Sequence, residues 1–217
     1  MADVDARVAP QLPRGRHGLS REQVEVDQRL RIFMGMAEAM GAKGYVGTPV
    51  ADIIRRAGVS RETFYQLYDD KLASFLAAFD LVGDVLLDRL LTSVDGPGDP
   101  MARFERAVST YLDTLASQPD HARLFLVEVY AAGPEAMARR TLVQQRIVDA
   151  LVDLLGARTD AGRVTCQVLV AAVSAMVTGP LVAGDVDALR ALGPQILEHV
   201  RRLDDAGMFG RRWRSSR

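Results

Sequence analysis

The chain has 217 residues and a net charge of -1, and 48% of its residues are apolar while 25% are charged. This length suits one large domain or a small domain fused to a larger one. Because the charges balance, overall charge gives no reason to expect a nucleic-acid or membrane partner, and such a function must depend on where individual basic residues lie. The single cysteine, Cys166, excludes an intramolecular disulfide and a cysteine-cluster metal site, and we expect neither a metal nor a cofactor.

The N-terminal residues and the most apolar run of the chain indicate where in the cell the protein is expected. The N-terminus lacks the apolar core of a signal peptide. The run over 167–184 is marginal in length for a bilayer span and is interrupted by Gly179 and Pro180, so we interpret it as a buried helix. We therefore expect a cytoplasmic protein with no membrane partner.

The first helix is predicted over 21–40, where apolar residues recur at spacings of three and four. Gly41 and Gly44 follow it and are expected to end the helix, because glycine readily adopts the positive φ common at helix ends. Thr48 is a good N-cap, and Pro49 suits the first position of a second, short helix that continues to Ala57.

A third helix follows at once. Gly58 interrupts the second helix, and Ser60 offers an N-cap for a short helix over 61–68, with Phe64 and Leu67 on its inner face. Two short helices joined by a tight glycine turn predict a helix-turn-helix.

The rest of the chain also predicts helices and no hairpins, so the expected fold is all-α, with a three-helix head followed by a larger helical body. We predict a flexible basic arm over 1–22, a helix-turn-helix domain over 23–69, a body over 70–208 and a basic tail over 209–217. The arm is either a solvated tail or a segment that reaches DNA phosphates or a minor groove. Helices of the body are predicted near 71–91, 101–116, 119–131, 135–155, 161–178, 187–192 and 195–205.

The third helix has side chains suited to contact with DNA. Its short or planar polar groups can reach phosphates or base edges, Arg61 can contact phosphate or guanine, and Gln66 suits adenine. Lys71 begins the next helix, where its charge and nearby N–H groups could hold a phosphate. Glu62 opposes this function, because phosphate repels it unless it accepts from cytosine or pairs with a neighbouring arginine. The alternative is that these polar residues simply form the solvent-facing side of a helix.

At these residues the sequence resembles the tetracycline-repressor (TetR) family of transcriptional regulators. The resemblance covers about residues 28–76 and rests on Gly44-Tyr45, Thr48, Ile53, Ala57-Gly58-Val59-Ser60, Thr63-Phe64-Tyr65 and Lys71. With it, the candidate DNA-binding residues are Thr48, Ser60, Arg61, Thr63, Tyr65, Gln66, Tyr68 and Lys71.

The resemblance implies a homodimer whose C-terminal helices build the subunit interface and a ligand cavity. The helix from Val164 to Val177 is apolar nearly all round, so it must be covered by other helices, either a partner's or its own chain's. In the dimer, two-fold symmetry would place the two recognition helices about 34–36 Å apart on a double-stranded operator.

Candidates for binding an unknown small-molecule effector lie on the middle helices, where related proteins bind ligands. Taken singly, each is more often a plain core residue. They are Phe104, Tyr111, Phe125, Leu126, Glu128, Val129, Tyr130 and Met137. Glu128 stands in an apolar stretch, so burial would require a cationic or hydrogen-bonding partner from the protein or from a ligand.

The expected function is a transcription regulator, a repressor that a ligand releases from a palindromic operator. The alternative is a helical enzyme or small-molecule carrier that does not bind DNA, with turnover depending on a polar pocket group such as Glu128 or His121.

Overall fold

The computed structural model describes residues 20–210, and these form ten α-helices and one 3-10 turn with no β-strand, which confirms the all-helical prediction. The head contains α1 (Arg21–Gly47), α2 (Val50–Ala57) and α3 (Arg61–Leu67). The body contains α4 (Lys71–Val94), α5 (Pro100–Ser117), α6 (Pro119–Leu126), the 3-10 turn Glu128–Tyr130, α7 (Pro134–Leu155), α8 (Asp160–Met176), α9 (Thr178–Ala183) and α10 (Val186–Asp205).

Short polar side chains start most of these helices. In each case a hydroxyl or carboxylate accepts from a backbone N–H of the first turn, which has no partner within the helix. The capping residues are Ser20, Ser60, Asp70, Asp99, Thr159 and Asp185. These caps fix where the helices begin, and they are readable in the sequence.

The first helix differs from its prediction at its end. It continues past 40 to Gly47 and breaks at Gly44, which has φ 70° and ψ 169°. Thr48 is not an N-cap: it ends α1, and its buried hydroxyl donates to the carbonyls of Ala39 (3.2 Å) and Gly44 (2.7 Å). Pro49 occupies the cap position of α2, with no side-chain hydrogen bond.

The last helix also differs from its prediction. Gly193 and Pro194 were expected to separate two helices, but α10 runs through them. Pro194 is exposed, and Leu189, Ile196 and Val200 on the other side are buried in the core. Packing of this apolar face outweighs the lost hydrogen bond, because the carbonyl left without a donor can bind water on the exposed side.

The predicted ends of the chain are only partly described. The basic residues of the arm (Arg7, Arg14, Arg16 and His17) and of the tail (211–217) lie outside the described residues. Within the described part, α1 already begins at Arg21, and Phe209 is buried. The start of α1 agrees with the predicted first helix over 21–40.

The head is held together by a close approach of α1 and α2. A Cβ at Gly35 would lie 2.7 Å from the backbone nitrogen of Ala57 and 3.0 Å from the carbonyl oxygen of Ile53. Around this contact Ile32, Met36 and Ile53 are fully buried. A glycine at position 35 therefore allows the two backbones to come together.

We predict that Gly35→Ala destabilises the protein by about 1–3 kcal/mol, because the added methyl group meets backbone that cannot move aside. In an open helix the same change would stabilise by about 1 kcal/mol, so the sign of the effect is informative. The measurement is the free energy of unfolding in urea. Gly47→Ala is the control, since its Cβ would meet only the Cβ of Lys43, at 3.5 Å. Equal stability of the two variants would contradict the close approach.

Candidate DNA-binding surface and ligand cavity

The turn between α2 and α3 is fixed by Arg31 of α1. Gly58 takes the left-handed conformation, with φ 61°, and so ends α2. The guanidinium of Arg31 donates to the carbonyl of Ala57 (3.0 Å) and to that of Gly58. Charge and hydrogen bonds together stabilise the negative end of α2. Arg31 lies 26 residues away in sequence, and no local pattern would have found this role.

Helix α3 buries one side and presents the other to solvent. Phe64 is fully buried, whereas Ser60, Arg61, Tyr65 and Gln66 are exposed. Thr63 and Tyr68 are half-buried at the margin of this polar side, and burial raises the pKa of Tyr68. We call the exposed side of Ser60, Arg61, Glu62, Tyr65 and Gln66 the α3 surface.

Contacts within the α3 surface hold its side chains in place. The guanidinium carbon of Arg61 lies 5.3 Å from the ring centre of Tyr65. The amide of Gln66 donates to a carboxylate oxygen of Glu62, at 3.3 Å. Glu62 therefore occupies a donor of the amide that could bond to a base, and it adds a negative charge beside it.

Two of the candidate DNA-binding residues are engaged inside the head. Thr48 is completely buried, so it does not belong to the α3 surface. The ammonium of Lys71 donates to the carbonyls of Tyr45 (2.8 Å) and Thr48 (3.2 Å), and it lies 4.1 Å from the ring centre of Tyr45. Burial lowers the pKa of Lys71. Its side chain thus binds the end of α1, and the expected role as a free phosphate ligand is not supported.

Basic residues near the turn are also paired within the head. Asp52 of α2 is buried and accepts from Lys43 (2.5 Å) and Arg55 (2.7 Å). The hydrogen bond from Lys43 in particular lowers the pKa of Asp52. Arg56 pairs with Glu38 at 3.2 Å. The two arginines that precede the turn therefore add little unbalanced charge to the surface.

Glu128 joins the head to the body. It is buried, and its carboxylate accepts from the backbone N–H of Tyr45 at 2.6 Å, next to the break at Gly44. Arg123 lies 3.7 Å from its other oxygen. Burial of this acid required a partner, and the partners come from the protein. Glu128 is therefore a junction residue, and its carboxylate is already paired within the protein.

A second contact of this junction is made by α6. The ring of His121 on α6 stacks on Phe33 of α1, with ring centres 4.7 Å apart. The side chain of Asp120 on α6 lies against Gly41 of α1, where an added Cβ would meet its carboxylate. Burial lowers the pKa of His121, while the charge of Asp120 raises it by less.

The body contains an apolar cavity of about 140 Å³ between α4, α5, α7, α8 and α10. Seventeen residues line it, and none of them is charged; Tyr111 and Ser174 supply the polar groups. Burial raises the pKa of Tyr111. Leu87, Leu91 and Val94, from the last turns of α4, form one wall. The cavity is suited to an apolar ligand with few hydrogen-bonding groups.

Only Phe104 and Tyr111 of the predicted ligand-binding candidates line this cavity. Phe125 instead stacks on Phe79 at 4.5 Å in the core. Tyr130 is exposed, with the guanidinium of Arg140 at 5.1 Å from its ring centre. Leu126 and Val129 are buried in the core away from the cavity, and Met137 packs partly buried against the core. Apart from Ser174, the lining residues that the prediction missed are aliphatic, and in sequence a cavity-lining leucine cannot be told from a core leucine.

Helix α8 leaves an apolar side uncovered. Cys166 and Leu169 are buried, but Val164, Val168 and Met176 are 54%, 61% and 39% exposed. By length and composition the segment Asp160–Ala183 could cross a membrane, and only 22% of its most apolar stretch is buried within the chain. The expectation of a buried helix over 167–184 is therefore not met within the single chain, because the other described helices cover only one side of α8.

Comparisons with known proteins find similarity to bacterial regulators of the tetR family. The sequence profile described as "Bacterial regulatory proteins, tetR family" matches residues 36–78, which contain the turn and the α3 surface. The transcriptional activator FasR of Mycolicibacterium smegmatis is 25% identical over 190 residues, which are 88% of this chain and 83% of FasR.

Solved structures resemble the whole architecture. The fatty acid degradation regulator FadR of Bacillus halodurans gives a TM-score of 0.69 at 18% identity, covering 83% of this chain and 97% of FadR. FadR of Bacillus subtilis, solved in complex with stearoyl-CoA, gives a TM-score of 0.67 at 17% identity, covering 78% of this chain and 95% of that FadR. At sequence identities of 17–18%, this likeness shows a shared fold and no more.

We predict that His121 makes stability depend on pH. Its pKa in the folded protein lies below the ordinary value of 6.5, so the unfolded chain takes up the proton more readily. The free energy of unfolding should therefore fall as the pH drops below about 6.5. His121→Phe keeps a ring against Phe33 but has no group that takes up a proton. Its free energy of unfolding relative to that of the parent should therefore increase as the pH is lowered from about 7.5 to about 5.

The control is His199→Gln, because His199 is exposed on α10. Denaturant unfolding of the three proteins at each pH gives the comparison. A constant difference between His121→Phe and the parent across this range would show that the stack does not disfavour the charged ring.

Proposed function

Because the chain belongs to the TetR family of bacterial regulatory proteins, we propose that it is a dimeric transcription regulator that leaves a palindromic operator when an apolar effector fills the cavity. The observation that carries the DNA-binding part is the α3 surface. It is a capped helix whose polar side is exposed, and its position is fixed by Arg31 and Gly58. Exposed Arg61 and Gln66 are suited to reading guanine and adenine in a major groove.

The contact residues we propose are Ser60, Arg61, Thr63, Tyr65, Gln66 and Tyr68. Thr48 and Lys71 support this surface from inside the head: Thr48 closes the end of α1, and Lys71 joins that end to α4. Loss of Lys71 should therefore act first on the stability and position of the head.

TetR-family regulators dimerise, and we propose that α8 supplies the interface here. Its uncovered apolar side includes Val164 and Val168, and solvent contact with such a side is unfavourable. A second copy of α8, with α10 of each subunit beside it, would form a four-helix interface with two-fold symmetry. The same symmetry would give a palindromic operator.

TetR-family regulators also bind small molecules, and we propose that α4 couples the cavity to the head. Its last turns line the cavity, and its first residue, Lys71, donates to the end of α1. Along the helix, Lys71 lies about 24 to 35 Å from the residues that line the cavity. A space of about 140 Å³ is close to that of an engineered cavity that admits benzene. A larger effector therefore fits only if helices move, and such coupling is typically about 1–3 kcal/mol.

Repression relieved by the effector is the sense of regulation we propose, and the expected location is the cytoplasm. The relative FasR is named an activator, so a reporter fused to the operator, with and without effector, decides the sign of regulation.

The alternative of an enzyme depended on Glu128 or His121 as a pocket group. Glu128 bonds to Tyr45 and His121 stacks on Phe33, and neither lines the cavity.

We predict opposite effects of two neighbouring substitutions on operator affinity. Arg61→Gln should weaken binding, by about 1–3 kcal/mol if the guanidinium contacts a base or phosphate. Glu62→Gln should strengthen it, because it removes a charge that phosphate repels and frees the amide of Gln66. Gel-shift titrations on a duplex selected from a random library by the parent protein give both values.

Arg89→Gln is the matched control, because Arg89 is an exposed arginine on α4 outside the head. Its affinity should equal that of the parent at each salt concentration. If all three variants bind as the parent does, the α3 surface is not the DNA-binding surface.

We predict that Val168→Asp produces a monomer, since the carboxylate would be buried without a partner in the proposed interface. Val26→Asp is the control: Val26 on α1 is 62% exposed, compared with 61% for Val168. Sedimentation velocity measures the mass in solution. A dimeric Val168→Asp protein, or a parent that partitions into lipid vesicles, would contradict the role proposed for α8.

A further inference from the structure

A second opening lies beside the apolar cavity, where the loop between α4 and α5 meets the end of α7. It has a volume of about 510 Å³ and shares Leu154 with the cavity. Two arginines, Arg103 and Arg158, line it together with Asp99 and Asp153. We call this opening the outer recess.

The positive charges of the outer recess are available to a ligand. Arg158 is exposed and makes no ion pair with a described residue. Arg103 uses its Nε–H on the carbonyl of Val94, at 2.7 Å, and its terminal N–H groups form no other bond within the described part of the chain. Next to it, Arg106 donates in the same way to Ser93 at 3.0 Å, and one of its terminal nitrogens is buried without a partner.

The two acids of the recess differ in their engagement. Asp99 accepts from the backbone N–H of Ala102 and so caps α5. Asp153 is exposed and unpaired among the described residues, and it is the charge that an anion in the recess would meet. Because Arg103 and Arg158 would attract an anion and Asp153 would repel it, removing an arginine charge or the Asp153 charge should shift anion binding in opposite directions.

The cavity itself cannot hold a charged group at low cost. None of its lining residues is charged, and an ion moved into such surroundings without a partner is strongly destabilised. The charged end of any ionic effector must therefore remain outside the cavity, and the recess at Leu154 is the adjoining space.

We infer that the effector is an anionic amphiphile, with an aliphatic chain in the cavity and a carboxylate or phosphate group in the outer recess beside Arg103 and Arg158. This inference rests on the proposed role of the cavity as the effector site. Charge-assisted hydrogen bonds from guanidinium to carboxylate or phosphate would fix the headgroup, and the cavity would take the chain.

The experiment compares three probes with one chain: dodecanoate, dodecanoyl-CoA and dodecanol. Titration calorimetry gives Kd for the parent, Arg158→Gln, Asp153→Asn and the control Arg89→Gln, all as full chains. Arg158→Gln should weaken both anions about three- to tenfold at low salt, and Asp153→Asn should tighten them. Dodecanol should bind all four proteins equally.

The outcomes separate this inference from the proposal on which it rests. A thioester that binds more tightly than the carboxylate, with an advantage lost in Arg158→Gln, identifies phosphate as the headgroup, and the reverse order identifies carboxylate. If dodecanol and the anions bind but neither substitution changes the anions selectively, the inference is overturned and the cavity remains the effector site. If no probe binds the parent, both are overturned.

Discussion

Head and body are joined through the backbone groups that α1 exposes where it breaks at Gly44. The N–H of Tyr45 is bonded by the carboxylate of Glu128, and the carbonyls of Tyr45 and Thr48 are bonded by the ammonium of Lys71. A helix break leaves such groups unsatisfied, and their partners here come from two different parts of the body. The orientation of the head therefore depends on where α4 and the turn at Glu128 lie.

This junction supplies the physical connection that the proposed coupling between the cavity and the head requires. Helix α4 is shared: Leu87, Leu91 and Val94 line the cavity, and Lys71 bonds to the end of α1. A tightly packed interior transmits displacement because it has few voids to absorb it. In the mechanism that we propose, ligand entry would act on the orientation of the head through this one continuous helix.

The head was predictable from sequence because its signals are local. The cap at Ser60, the glycine at position 58 and the buried Phe64 lie within a few residues of one another, and each acts on its own backbone. The polar side of α3 follows from helical periodicity alone. The inward contacts of Thr48 and Lys71 could not be predicted, because their partners, the carbonyls at the end of α1, lack helix partners only where α1 breaks.

The sequence by itself determined the all-helical class, most helix starts and the exposed composition of α3, because these depend on interactions over one or two turns. Only the tertiary structure decided that Glu128 joins head to body, that α10 continues through Pro194, and that Phe104 and Tyr111 but not Phe125 line the cavity. Each of these depends on a contact between residues far apart in the chain. Burial and pairing at that distance leave no periodic trace in the sequence, so they become visible only when the helices are packed.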